Sequence, residues 1–373
     1  MCDGTMPLKL DHARAWRTYI GGKMLDKWHG KGNSGEGEDT NFPEEWIASL
    51  VRARNAGREE FPDEGLSRIV DENGLPKEFL KDWIGQMGEK ALGHDHWERF
   101  GASLGVLVKL IDAGERLTVQ VHPDREMAKK LFHSEYGKTE CWYVLGGRTV
   151  NGEPPCIYMG FKPGVTRKQW EKLFQEQNYA GMLECLHQIP VKKGEVILIE
   201  GGIPHAIGAG CFLTEIQEPT DYTIRVERVT PSGLAIADSM CHQGLGFERM
   251  FDCFHYDTYT EEELRQRWFL SHEPEILDEG TIERPLVTYE DTPYFKMEEL
   301  TVGEKFSMDR PDTFSIVLVL EGNGSFSNFS GERMKVEKGD QILIPASVRH
   351  LILKNEGEQE FRMLQCFGPQ IFV

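Results

Sequence analysis

Residues 118–145 read TVQVHPDREMAKKLFHSEYGKTECWYVL, and the rest of the chain is best read outward from them. Gln120 and His122 stand two residues apart in an apparent strand, so their side chains leave the same face. Glu140 follows His122 by eighteen residues, at the mouth of a second strand, CWYVL. His205 lies further on, in IPHAIGAG. Neighbouring strands can gather one glutamine, two histidines and one glutamate around a single ion. Two nitrogen and two oxygen donors suit zinc, and also iron, manganese or cobalt. A mixed set with room for water or substrate is the pattern of a catalytic site rather than a closed structural one. The first expectation is therefore a metalloenzyme.

At 373 residues the chain has room for two or more domains with ample cores. It carries 61 acidic and 42 basic side chains, a net charge of -19. A surface of that sign repels nucleic acid and anionic membranes, so neither is expected as a partner. An anionic substrate would need a local basic pocket, which makes particular Lys and Arg residues more telling than the total. The opening MCDGTMPLKL has no long apolar run, and no stretch of bilayer-spanning length follows. The eight cysteines (Cys2, Cys141, Cys156, Cys185, Cys211, Cys241, Cys253 and Cys366) are scattered without a CxxC pair. Free thiols in a cytoplasmic protein are the expectation.

Residues 1–100 are mixed. GGKMLDKWHGKGNSGEGEDTN (21–41) is Gly-rich and polar and reads as a surface loop. PEEWIASLVRARNAG reads as a strand entering a turn, and LPKEFLKDWIGQMGEKAL has helical spacing. From Leu104 the pattern changes to short apolar runs rich in Val, Ile and aromatics: SLGVLVKLID, LTVQVHP, ECWYVL, PCIYMGF, EVILIEG and GCFLTEIQ. One helix interrupts them, with Thr166 as its cap. A more helical stretch runs from Asp238 to about Leu270, with a capping box at Thr260 and Glu263. A second set of strands begins near Arg284: FKMEELTV, FSIVLVLEG, GSFSNFS, QILIPAS, HLILKN and FRMLQCF. VKKGEVILIEGGIPHAI (191–207) and VEKGDQILIPASVRHLI (336–352) share Lys-Gly-acid, an apolar strand, a short turn and a histidine. They read as an internal duplication. The second copy has no match to Gln120, His122 or Glu140, so His350 reads as structural and metal chemistry is expected in the first block alone.

These features together resemble the cupin superfamily and, within it, the type I mannose-6-phosphate (phosphomannose) isomerases. The resemblance rests on QVHPD with GKTECWYVL, on GGIPHAIGAG, on TEIQEPTDYTIRVERV with its glutamate ten residues before an arginine, and more weakly on PEEWIAS. It implies a mainly β protein built of two cupin-like (jelly-roll) β-barrels with helical insertions. The implied division is 1–100, a mixed segment contributing to the first barrel; 101–237, the catalytic metal-binding barrel; 238–283, a helical linker; and 284–373, a second, degenerate barrel.

The resemblance also implies a ligand set of Gln120, His122, Glu140 and His205 around one divalent ion, zinc by preference. It puts a catalytic arginine at Arg225, pocket acids at Glu215 and Asp221, an active-site lysine at Lys138 and a hydroxyl near the substrate phosphate at Thr118. The implied reaction interconverts mannose 6-phosphate and fructose 6-phosphate through an enediolate, which needs a base, stabilisation of negative oxygen and a phosphate anchor. Glu215 and Asp221 both remain open as the base. Asp221 reads more readily as a partner that orients Arg225, and the alternative for Arg225 is an ion pair with Glu227 or Asp221. Trp142 and Tyr143 read as barrel core plus pocket wall. His94 and His96 read as loop or helix-cap residues; His133 and His187 read as surface residues on helices. A phosphorylated sugar is the expected partner of a monomer or homodimer. The competing expectations are another metal-dependent cupin enzyme, such as an isomerase of a different sugar or an iron oxygenase, and a non-enzymatic sugar-binding protein. The sequence departs from many relatives at Glu200-Gly201-Gly202-Ile203-Pro204, before the last ligand, and in VERVTPSG after Arg225.

Overall fold

The computed structural model describes residues 4–30 and 37–371; Cys2 and part of the Gly-rich stretch 21–41 lie outside them. Among the described residues four antiparallel sheets form two pairs. The first pair sets a seven-stranded sheet against a five-stranded one. The seven run in the order Phe269–Leu270, Val196–Ile199, Glu140–Gly147, Cys211–Gln217, Leu107–Asp112, Glu44–Ile47 and Ala13–Ala15. The five are Leu186–Pro190, Cys156–Phe161, His205–Ile207, Gln120–Val121 and Ile224–Arg225. The second pair comprises a nine-stranded sheet centred on Phe361–Phe367 and Ser315–Glu321 and a four-stranded sheet of Lys305–Asp309, His350–Asn355, Asn323–Ser327 and Arg333–Glu337. This is a mainly β, two-lobed cupin-type architecture with helical insertions, as the resemblance implies.

The lobes are filled differently. In the C-terminal lobe, inward positions of both sheets are apolar: Val317, Val319, Phe361 and Met363 meet Phe326, Leu351 and Leu353. In the N-terminal lobe the inner faces carry ionisable groups, and the apolar packing moves to the outer faces. There Phe161 packs in one cluster with Trp170 and Phe174 of the helical insertion. A further core runs through both lobes, from Leu8 and Trp83 to Cys366.

The N-terminal segment supplies strands to both lobes. Ala13–Ala15 and Glu44–Ile47 extend the first, whereas Leu8–Leu10, Arg68–Val70 and Pro76–Phe79 extend the nine-stranded sheet of the second. The stretch 238–283 holds helices Asp238–His242, Gly246–Arg249 and Glu261–Trp268, but also strands Phe269–Leu270 and Glu275–Asp278. Thr166 accepts from the Gln169 N–H, and Thr260 and Glu263 form the expected capping box, features worth about 1 kcal/mol each.

Three local expectations are corrected. Lys23–Trp28 is a helix, because Leu25 is buried and Met24 and Trp28 pack on the same core. The helical stretch starting at Leu75 begins instead as strand Pro76–Phe79 and then breaks in two at Gly88, whose φ of 55 residues with a side chain rarely adopt. His187 is a buried strand residue whose Nε2 meets the Tyr259 carbonyl at 2.7 Å.

Candidate metal centre and substrate pocket

Strand register assembles the centre. On the five-stranded sheet Gln120 is paired with His205 on one side and Arg225 on the other, so three side chains line up across one face. On the facing sheet Glu215 is flanked by Trp142 and Lys109, and Lys109 by Trp46; Glu140 lies in the next row, opposite Gln217. His122 follows its strand by one residue. The two inner faces meet where Glu140 reaches His122 and His205: Oε2 lies 3.2 Å from His122 Nε2 and Oε1 lies 3.4 Å from His205 Nε2. All three side chains are buried.

Backbone contacts fix both imidazoles. His122 Nδ1 lies 2.8 Å from the Tyr222 carbonyl and His205 Nδ1 lies 2.9 Å from that of Ile203. Each Nδ1–H therefore donates outward, and each Nε2 turns its lone pair toward Glu140. Burial and the nearby Lys138 ammonium push the His122 pKa down to about 3, and burial lowers that of His205. Burial alone would raise the Glu140 carboxyl, but Lys138 and His122 hold it well below the usual range. Neutral imidazoles and an ionised carboxylate are the protonation states of metal ligands.

The donors also fit an ion by what they lack. His122 Nε2 and Glu140 Oε2 are both acceptors, and facing one another they are stable only around a cation. The Lys138 ammonium supplies one here, 2.7 Å from Nε2 and 2.6 Å from Oε2. Among the described residues Glu140 Oε1 is buried with no hydrogen-bond partner, a state costing roughly 1–3 kcal/mol. The Gln120 amide ends 3.2 Å from His205 Nε2; a half-turn of the amide presents its oxygen to the same point.

A pocket adjoins the cluster through Gln120 and Lys138. Thr118, Glu215 and Arg225 line it, as do Arg17, Tyr19, Glu44 and Lys109, which the sequence reading did not single out. Lys109 donates to Glu215 at 2.9 Å and to Gln217 at 2.6 Å, while Trp142 Nε1 donates to the other oxygen of Glu215 at 3.0 Å. Burial opposes charge on Lys109, but Glu215 and Glu44 outweigh it and raise its pKa. Tyr19 and Trp46 both donate to Glu44, each at 2.7 Å.

Arg225 differs from the other cations. Its Nη1 donates to the Thr223 and Met240 carbonyls, at 3.2 and 2.9 Å, and it has no carboxylate partner among the described residues. Burial and the neighbouring Arg17 push its pKa down to about 10, so it remains charged at neutral pH. The two expected rivals for it are taken. Glu227 holds Arg116 at 2.6 Å, and Asp221 grips Arg17 through both oxygens, at 2.8 and 3.1 Å. Asp221 therefore does not pair directly with Arg225, contrary to expectation. Tyr143 is no pocket wall either: strand alternation turns it outward, and its hydroxyl donates to Glu299 of the C-terminal lobe at 2.6 Å. His350 is exposed and bonded to Asp309, and His96 is buried against the Ser103 carbonyl.

Residues 63–140 match the family model of the phosphomannose isomerase type I catalytic domain, and residues 296–367 match that of the cupin domain. Mannose-6-phosphate isomerase of Streptococcus mutans is 29% identical over 259 residues, covering 68% of this chain and 74% of that protein. Mannose-6-phosphate isomerase ManA of Bacillus subtilis is 24% identical over 306 residues, covering 78% and 83%. The crystal structure of mannose 6-phosphate isomerase from Bacillus subtilis superposes with a TM-score of 0.71 at 20% identity, across 96% of this chain and 99% of that one. The chain is thus similar to type I phosphomannose isomerases in its matched segments and along most of its length, and it shares the fold of a solved one.

Proposed function

We propose that the protein is a metal-dependent aldose–ketose isomerase that interconverts mannose 6-phosphate and fructose 6-phosphate. One observation carries this reading. A cluster with metal-ligand donors opens into a pocket whose walls bear Arg17, Lys109, Lys138 and Arg225 against Glu44 and Glu215. That is a local excess of two positive charges in a chain of net charge -19, suited to an anionic substrate.

Gln120, His122, Glu140 and His205 would hold the ion, with zinc the best match to the donors. Such an ion supplies polarisation of the substrate oxygens. The chain's own groups do the rest. Proton transfer needs a carboxylate that faces the substrate. Glu215 lines the pocket and Asp221 does not, so the base role goes to Glu215. Lys109 and Trp142 hold its two oxygens in place. It would take the proton beside the open-chain carbonyl and return it to the adjacent carbon. Arg225, with no carboxylate to neutralise it, would meet the negative oxygen of the enediolate. Thr118 and Lys138 would contact substrate oxygens, Thr118 toward the phosphate. The buried free thiols fit a reducing compartment, which supports a cytoplasmic location. No described helix is long and apolar enough to cross a membrane.

Purified protein should be loaded with zinc and assayed for conversion of mannose 6-phosphate alongside unphosphorylated mannose and other sugar phosphates. Turnover confined to mannose 6-phosphate and fructose 6-phosphate, abolished by chelation and restored by zinc, is the expected result. Activity untouched by exhaustive chelation, or oxygen uptake with iron in place of isomerisation, would refute it.

A further inference from the structure

A second set of donors lies away from the pocket, where the chain passes from one lobe to the other. Strand Leu8–Leu10 belongs to the nine-stranded sheet and strand Ala13–Ala15 to the seven-stranded one; His12 sits in the crossing between them. His29 caps the helix Lys23–Trp28, Glu45 lies within strand Glu44–Ile47, and Gln341 opens strand Gln341–Ile344. Leu10 is paired with Gln341, which brings the crossing over the second lobe's donor. We infer that His12, His29, Glu45 and Gln341 form a second divalent-cation site that ties the two lobes together.

Donor atoms of His12, His29 and Glu45 lie within 4.8 Å of one another. The two imidazoles are stacked, centroids 3.9 Å apart, so their edges reach the carboxylate side by side. His29 Nε2 is 2.8 Å from Glu45 Oε2, and the Gln341 amide nitrogen is 3.0 Å from the same oxygen. Arg14 takes the other oxygen, at 2.8 Å, which leaves Glu45 a monodentate ligand with Oε2 turned to the cluster.

A separate observation points to a ligand. Gln341 is buried and, among the described residues, its Oε1 has no hydrogen-bond partner. Turning its amide puts that oxygen where the nitrogen now meets Glu45, and a cation there would satisfy it. The resulting set of one glutamine, two histidines and one glutamate has the same composition as the centre in the first lobe. Tetrahedral ligands of one zinc ion, at about 2.0–2.2 Å each, stand roughly 3.3–3.6 Å apart. The cluster therefore closes by up to about 1.5 Å, and His12, on a two-residue connection, can supply the movement. The chain is also tight at this point. A Cβ at Gly339 would lie 2.8 Å from His29 Nδ1, and its φ is +94. A cleft lined by Asp11, His12, Asp71 and Asp340 gives an ion access from solvent.

The test counts zinc on the full chain, by mass spectrometry after equilibration at buffered micromolar zinc. Wild type is expected to hold two ions, His12→Ala one, His122→Ala/His205→Ala one, and the combined variant none. His12→Gln, at the accessible edge, guards against loss of fold and should weaken the second ion at least tenfold. Thermal unfolding should show zinc stabilising His122→Ala/His205→Ala but not the combined variant. The inference fails if His12→Ala binds as much zinc as wild type, or if folded His122→Ala/His205→Ala binds none. Failure of the first centre reads differently: wild type then holds one ion, which His12→Ala removes and His122→Ala/His205→Ala keeps.

Discussion

The two lobes repeat one strand–turn–histidine unit at equal spacing, yet His205 is buried in a cluster of ionisable groups and His350 is exposed beside Asp309. The inward positions explain the contrast. Around His205 the facing sheets supply Glu140, Lys109, Glu215 and Arg225, whereas the second lobe supplies Val317, Val319, Phe361 and Met363. Burying charge costs free energy unless each group is paired or serves a ligand. The first lobe carries that cost in its interior. The second packs its two facing sheets through a mainly apolar cluster. One scaffold thus separates chemistry from cohesion, and the separation can be attacked from either side.

The largest effect is expected in the first lobe. His122→Ala should release the ion and lower kcat/KM by about a thousandfold or more, measured beside zinc content. Arg225→Met should keep the ion and lower kcat about 100- to 1000-fold with little change in KM. A change confined to KM would reassign Arg225 to ground-state binding. In the second lobe Phe361→Ala should cost about 3–5 kcal/mol in denaturant unfolding while leaving kcat of the folded fraction intact.

Asp221 offers a finer test of how the first lobe's charges are balanced. Burial would raise its pKa, but Arg17 outweighs this and leaves the folded carboxyl well below its unfolded value. Its contribution to stability is then full above about pH 4–5 and is lost as pH falls through the folded value. Asp221→Asn should therefore be markedly less stable than wild type at pH 7, and the gap should narrow in acid unfolding curves below about pH 4. The smallest effect belongs to His350→Ala, expected within about 0.5 kcal/mol of wild type with activity unchanged.

The separation was partly legible in the sequence. Gln120 and His122 share a strand face by simple alternation, and the second copy visibly lacks counterparts to them. The long Val- and Ile-rich runs declared themselves as strands. What stayed hidden depends on partners far along the chain. Arg17 meets Asp221 across 204 positions, and nothing local in AWRTYIGG marks it as a pocket residue. Lys109 reads as an ordinary polar position in an apolar run until Glu215 is placed opposite it. Three-residue strands such as Leu8–Leu10 carry too few side chains to show a period, so their allegiance to the second lobe had no signature.

That short strand has a consequence for how the molecule is made. Leu8, Lys9 and Leu10 find their ladder partners in Leu343, Ile342 and Gln341. During synthesis that pairing must wait until Gln341–Leu343, more than 330 residues downstream, have left the ribosome. Final closure is then a late, long-range event, the kind of step that slows folding and exposes nascent chains to misassembly.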